Sequence, residues 1–156
     1  SLRIVGDGDA RESLEAYCSD LSLEQKVTFT GWKNYQDLGK ELEWANVAIV
    51  PFPRDLLTDC ALPQKTVQYM AAGLPVVSTA LKGSVAEFGD LDGIYFVESP
   101  ADVFEESFAA SIGMRPGGEP FASRFDKQNT IQEMVKYLEG LVASRRHAKN
   151  SPGTHD

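Results

Sequence analysis

The sequence is short of cysteine and of long apolar runs, and each shortage argues against a class of protein. Its two cysteines, Cys18 and Cys60, stand far apart, with no CxxC or Cys/His pattern. Nothing therefore indicates a zinc site, and free thiols in a reducing compartment are expected. No apolar run is long enough to span a bilayer, and no secretion leader opens the chain. The cytoplasm is the expected location.

Basic residues are also few, with 15 lysines and arginines against 23 aspartates and glutamates and a net charge of -8. Because nucleic acid and anionic bilayers attract a basic face, wholesale binding to either is not expected. The basic cluster at 145–149 is predicted to be a solvated helix end. The 156 residues, 42% of them hydrophobic, are enough for one packed domain, predicted over 1–148, with a disordered tail at 149–156.

Short apolar runs alternate with helical patterns along the chain. Strands are predicted at 2–5, 27–30, 47–50, 75–79 and 93–97. Helices are predicted at about 10–20, 34–44, 63–72, 84–88, 101–112 and 127–144. This alternation predicts a Rossmann-like α/β fold: a doubly wound parallel sheet of five strands, in the order 2-1-3-4-5, within three α/β/α layers. Ligands bind such folds at the carboxyl ends of the first and third strands.

A glycine turn, Gly6-Asp7-Gly8, follows the first predicted strand. A dinucleotide fingerprint needs a third glycine three residues after Gly8, and that position holds Arg11. The turn therefore does not indicate an NAD site, and an ordinary strand-to-helix turn explains it nearly as well.

The segment at 62–79 is more informative. Pro63 suits the first turn of a helix, which would leave the backbone N–H groups of Gln64, Lys65 and Thr66 without helical partners. Open amides, the positive helix end and the Lys65 ammonium together suit a diphosphate, and Gln68, one turn on, is spaced to reach a sugar hydroxyl. A capped helix with a solvated lysine is the alternative. The predicted fold favours the anion site, because it places this helix end at the binding crevice.

The same segment resembles the pattern P-x-K-x-x-E-Y-M-A-x-G-x-P-V-V of family-4-type, retaining GT-B glycosyltransferases. Residues 2–8, 27–31 and 45–52 resemble that family's L-x-I-V-G-x-G, V-x-F-x-G and A-D-V-x-V-x-P, in the same order. The resemblance implies the C-terminal, donor-binding domain of a hexosyltransferase. Its donor would be a UDP- or GDP-sugar, its acceptor a glycan or lipid-linked molecule, and no metal cofactor would be needed.

The resemblance also implies particular contacts, although no catalytic residue can be assigned. Residues implied to bind the nucleotide-sugar are Gly8, Gly31, Trp32, Gln64, Lys65, Thr66 and Gln68, with Gly31 and Trp32 near the base. Gln68 stands where relatives have a ribose-binding glutamate. Cys60 stands where many have a glutamate that contacts the transferred sugar. Either a neighbour such as Asp59 substitutes, or the sugar is held differently, or the domain is impaired.

Relatives carry a further strand and helix before Leu2, and a separate N-terminal acceptor-binding domain. The expectation is therefore that this chain alone cannot turn over, and that its first and third strands pair directly or another strand fills the gap. The parent enzyme is expected to act in polysaccharide biosynthesis, in the cytoplasm or at the membrane periphery. Two other interpretations stay open. One is a receiver-like signalling module, disfavoured because Pro51 and Phe52 stand where an acceptor aspartate is needed; the other is a degenerate interaction domain.

Overall fold

A computed structural model describes residues 1–110 and, beyond them, residues 126, 128, 131, 132, 134–136 and 139. The chain divides into two compact units, Ser1–Asn46 and Val47–Asp156. Among the described residues, no helix has both the length and the apolar character needed to cross a membrane.

The first unit pairs two short parallel strands. Its elements are strand β1 (Leu2–Ile4), helix α1 (Arg11–Asp20), strand β2 (Val27–Phe29), a 3-10 turn (Tyr35–Asp37) and helix α2 (Leu38–Trp44). In the β1–β2 ladder, Leu2 lies opposite Val27 and Ile4 opposite Phe29. A parallel pair needs a crossover connection, which α1 and its flanking loops supply.

Helix α2 is tied to strand β1 through Arg3. The Arg3 guanidinium lies 4.0 Å from the centre of the Trp44 ring and donates a 2.8 Å hydrogen bond to Glu41. No residue of α1 is buried, and its predicted apolar face stays open, with Leu14 43% and Tyr17 62% exposed. The helix forms where the spacing predicted it, but that spacing does not bury its apolar side chains.

The second unit contains a three-stranded parallel sheet. Its elements are strand β3 (Ala48–Val50), helices α3 (Leu56–Asp59) and α4 (Gln64–Ala71), strand β4 (Val76–Thr79), helix α5 (Lys82–Phe88), strand β5 (Ile94–Val97) and helix α6 (Asp102–Ala110). The strand order is β3-β4-β5, with Val76 opposite both Ala48 and Ile94.

The apolar core of the described chain lies in this second unit. All four residues of β4 are buried, and since alternate residues point to opposite faces, both faces of the central strand are covered. Helices α4 and α6 both pack against the sheet. They contribute Met70 and Val103, which are 1% and 0% exposed. Because the central strand is buried on both faces, the loops at the strand ends are anchored to a well-packed sheet.

A single glycine, Gly73, ends α4. Gly73 has φ of 73° and donates to the Met70 carbonyl at 2.9 Å, while Leu74 donates to the Tyr69 carbonyl at 3.1 Å. These two bonds form a Schellman motif, which needs a left-handed residue and therefore favours glycine. The chain then turns into Leu74, which is fully buried.

An α/β fold with parallel strand pairing is confirmed, but the single five-stranded sheet in the order 2-1-3-4-5 is not. The described strands form two separate sheets, β1-β2 and β3-β4-β5, and no hydrogen-bonded ladder in this part of the chain joins β1 to β3. Alternating βα patterns predict that consecutive strands pair in parallel, whereas the pairing of β1 with β3 would be non-consecutive. The end of the helix predicted at 101–112, most of the one at 127–144 and the tail at 149–156 fall outside the described residues.

Candidate functional site

The opening turn of α4 is the strongest candidate anion site in the second unit. Pro63 occupies the N-cap with φ of -64° and is buried, and no side chain caps the helix. Within the described part of the chain, the backbone N–H groups of Gln64 and Lys65 have no hydrogen-bond acceptor. Both residues are exposed, so these two amides are open to a solvent-borne anion.

The prediction that the Thr66 amide is also open is wrong. That N–H donates to the Pro63 carbonyl at 2.9 Å, a bond that tightens the first turn of the helix. The Thr66 side chain is fully buried, and its hydroxyl has no partner among the described residues. The helix end therefore presents two amides rather than three.

The Lys65 side chain lies over an aromatic ring at the end of β3. Its ammonium nitrogen is 4.6 Å from the centre of the Phe52 ring, within cation–π range. Phe52 follows β3 in the Pro51-Phe52-Pro53 loop and is half-buried. This contact brings the end of the third strand and the start of α4 together, as the predicted crevice requires for these two segments.

Gln68 is half-buried on α4, three residues beyond Lys65. Residues three apart are neighbours on a helix surface, so both belong to one side of α4. Among the described residues, no hydrogen bond engages the side-chain amide of Gln68. Its amide can both donate and accept, which is the chemistry that a diol requires.

Asp59, the proposed substitute for a missing sugar-contacting carboxylate, is already engaged. Its Oδ2 lies 3.2 Å from the Lys82 ammonium, its Oδ1 accepts the Lys82 backbone N–H at 3.4 Å, and Arg54 Nε lies at 3.9 Å. Burial raises the pKa of Asp59, but the hydrogen bonds and charge of Lys82, with the charge of Arg54, outweigh it and lower the pKa below its ordinary value. Asp59 therefore holds the start of α5, and the adjacent Cys60 is an exposed free thiol.

Sequence reasoning missed α3, the short helix before Cys60. Asp55 accepts the backbone N–H groups of Leu57 and Thr58 at 2.9 and 2.8 Å, and the Thr58 hydroxyl accepts the Asp55 N–H at 3.0 Å. These reciprocal bonds form a capping box and lower the pKa of Asp55, chiefly through the Thr58 backbone N–H. The sequence signal that could have predicted α3 is an aspartate, Asp55, three residues before a threonine, Thr58. The result is a capped helical turn that presents Leu56 and Leu57, 87% and 82% exposed.

In the first unit, the glycine turn is closed by its own backbone and by Arg11. Gly6, at φ of 131°, donates to the Gly31 carbonyl at 3.0 Å, and the Gly8 N–H donates to Asp7 at 2.9 Å. Arg11, which replaces the third glycine, lies 3.4 Å from Asp7 and 2.8 Å from Glu15. A Cβ at Gly31 would lie 3.0 Å from the Arg11 guanidinium. The spacing did not predict this contact.

A pocket of about 240 Å³ lies beside this turn, between the ends of β1 and β2 and the start of α1. Its lining includes Gly8 and Arg11 together with Ile4, Leu14 and Phe29, and is mostly apolar. The pocket is an open, mostly apolar depression whose charged lining residues are Arg11 and Asp7. Trp32, predicted near a base, is 71% exposed.

Comparisons with known proteins agree with the fold. A family model described as glycosyl transferases group 1 matches residues 1–113. The uncharacterized glycosyltransferase MJ1607 of Methanocaldococcus jannaschii is 37% identical over 82 residues, which is 53% of this chain and 20% of that protein. The apo structure of the lipopolysaccharide outer core galactosyltransferase WaaB shares the fold, with a TM-score of 0.57 and 19% identity. The match covers 79% of this chain and 35% of that structure.

The chain thus spans about a fifth of the length of the curated relative and about a third of the solved one. The family model, by contrast, covers well over half of this chain and includes the glycine turn at 6–8 and the whole of α4. The chain belongs to the glycosyl transferases group 1 family.

Proposed function

We propose that this chain is the donor-binding, C-terminal half of a family-4-type GT-B glycosyltransferase, which binds a UDP- or GDP-sugar. Family membership supports sugar transfer, and the open end of α4 supports binding of a diphosphate. The observation that carries the proposal is the pairing of two open amides with the exposed ammonium of Lys65, beside the end of β3. Positive charge and aligned N–H groups at a helix start are the chemistry that binds paired phosphates.

In this proposal the Gln64 and Lys65 amides and the Lys65 ammonium bind the diphosphate, with Thr66 behind them in the same turn. Gln68 binds the ribose hydroxyls through its amide. Gly8, Gly31 and Trp32 of the first unit remain proposed nucleotide contacts on the strength of the resemblance.

The same groups have a role in the reaction. When the sugar leaves the donor, the electron pair of the broken sugar–oxygen bond stays on the β-phosphate, whose negative charge grows. Fixed amides and an ammonium at that oxygen stabilise the developing charge without reorganising. Lysine and helix amides supply this stabilisation without a divalent cation, so the proposed enzyme is metal-independent. Among the described residues, no cluster of three or more His, Cys, Asp or Glu side chains is placed to hold a metal ion.

The acceptor site is proposed to belong to a separate N-terminal domain of the full-length hexosyltransferase. The activity of the whole protein then needs both halves, and this chain alone binds donor without turnover. A role in polysaccharide biosynthesis, in the cytoplasm or at the membrane periphery, is part of the same proposal.

Calorimetric titration of the chain with UDP and GDP tests the donor site. We expect one nucleotide to bind, and Lys65→Ala to weaken binding about tenfold or more, because a charged hydrogen-bond donor to phosphate is lost. Lys40→Ala is the matched control, since Lys40 is 82% exposed on α2 and pairs only with Asp37 among the described residues. Equal affinities for the two variants, or no binding of either nucleotide, would contradict the proposal and favour a degenerate interaction domain.

A further inference from the structure

Lys65 differs from Arg54 and Lys82, two other cations of the second unit, in the group that holds its charge. Arg54 and Lys82 are bound by carboxylates, at 2.8 Å from Glu98 and 3.2 Å from Asp59. Within the described residues, Lys65 forms no ion pair, and the Phe52 ring is the partner of its ammonium. The ammonium is thus held without a neutralising charge.

An aromatic ring suits this task better than a carboxylate does. The negative face of the ring attracts the ammonium but leaves its N–H groups free to donate to an anion. A carboxylate would occupy those donors and cancel the charge that a phosphate needs. Lysine also has a long, mobile side chain, and fixing it on binding costs conformational entropy. A ring that restrains the chain beforehand reduces that cost.

We propose that Phe52 is a positioning residue for the donor diphosphate, holding the Lys65 ammonium beside the open amides of α4 before the ligand arrives. The proposal rests on the proposed function and deepens it. Phe52 acts through Lys65 and not through contact with the reacting atoms. Phe52 is half-buried two residues after the end of β3, so the ring, and the lysine above it, are positioned by the packed sheet of the second unit.

The aromatic face of Phe52, and not only the bulk of its side chain, should hold the Lys65 ammonium in place. Phe52→Leu keeps an apolar side chain but removes the ring, whereas Phe52→Trp keeps a ring of stronger cation attraction. A cation–π contact at an exposed site corresponds to about a two- to fivefold change in an equilibrium constant. We therefore expect Phe52→Leu to weaken binding by that factor and Phe52→Trp to bind at least as well as the native chain.

The first test needs no ligand. In a carbon–proton NMR spectrum of the free chain, the ε-methylene protons of Lys65 should be shifted upfield by the ring current of Phe52. Lys65→Ala identifies the signal by removing it. The upfield shift should vanish in Phe52→Leu and persist in Phe52→Trp. A native signal at the ordinary position of a solvated lysine would overturn the proposal, whatever the chain binds.

The second test is a double-mutant cycle on binding of inorganic pyrophosphate, UDP and GDP. We expect Phe52→Leu to weaken binding in the native background but not in the Lys65→Ala background. If Lys65→Ala weakens binding while Phe52→Leu leaves it unchanged, the positioning role is wrong and the donor site stands. If Lys65→Ala itself has no effect, the proposed function is wrong and the positioning role with it. Far-UV circular dichroism checks that each variant is folded.

Discussion

At Gly83, α5 comes close to the backbone of Asp59 and Ala61, at the end of α3 and in the loop between α3 and α4. A Cβ built on Gly83 would lie 3.0 Å from the Ala61 carbonyl oxygen and 3.4 Å from that of Asp59. Both contacts are with backbone, which cannot rotate away as a side-chain tip does. Ala61 stands two residues before Pro63, the N-cap of α4. The substitution Gly83→Ala therefore tests whether this close approach supports the loop that leads into the candidate site.

The chain supplies a matched control for this substitution. Gly39 is the second residue of α2, as Gly83 is of α5, and a Cβ on Gly39 would meet nothing within 4 Å. Replacing glycine by alanine in a helix gains up to about 1 kcal/mol of stability, and this gain applies to both positions. Overpacking against backbone costs about 1–3 kcal/mol, and this cost applies only at Gly83. We expect Gly39→Ala to stabilise its unit. The change in the free energy of unfolding caused by Gly83→Ala should be less favourable than that caused by Gly39→Ala by about 1–3 kcal/mol.

Urea unfolding of both variants measures the difference. Both tryptophans, Trp32 and Trp44, lie in the first unit, so their fluorescence follows the unit that contains Gly39. Far-UV circular dichroism, with hydrogen exchange of the α5 amides, follows the unit that contains Gly83. Equal stabilisation by the two alanines would refute the close approach of α5 to the Ala61 carbonyl.

Three further outcomes follow from the described contacts. Phe88→Ala should lower the free energy of unfolding by about 3–5 kcal/mol in a thermal melt, because Phe88 is fully buried, whereas Phe104→Ala, at a position 50% exposed, should change it little. Thr66→Val should stabilise the chain against urea, because it removes a buried hydroxyl without a partner in the described residues. Thr30→Val should not, because the Thr30 hydroxyl donates to the Gly31 carbonyl at 3.1 Å. Because the pKa of Asp59 is lowered in the folded state, its ionised carboxylate stabilises the fold above pH about 4, and this stabilisation is lost as the pH falls through the folded-state pKa. Asp59→Asn should therefore make the free energy of unfolding, measured by urea titration, fall less steeply in acid. A destabilised Thr66→Val, a harmless Phe88→Ala or an unchanged acid profile would each contradict the contact concerned.

Much of the local structure was predictable because it depends on neighbouring residues. The left-handed turn at Gly73 and the start of α4 after Pro63 follow from backbone preferences of glycine and proline. The largely buried strand β3 follows from the continuously apolar run at 47–50. The short helix α3 was missed, although its capping residues Asp55 and Thr58 are in the sequence, because four residues carry little periodicity.

The sequence by itself determined the order of strands and helices, their parallel pairing with consecutive neighbours, and which helix start carries a lysine. The tertiary structure decided that Lys65 lies over Phe52, that Lys82 and Arg54 occupy Asp59, and that Arg11 reaches Gly31. It also decided that the described strands form two sheets rather than one. Local patterns act through backbone preferences over a few residues, whereas the Lys65–Phe52, Lys82–Asp59 and Arg11–Gly31 contacts join residues 13 or more positions apart, whose proximity depends on how whole elements pack.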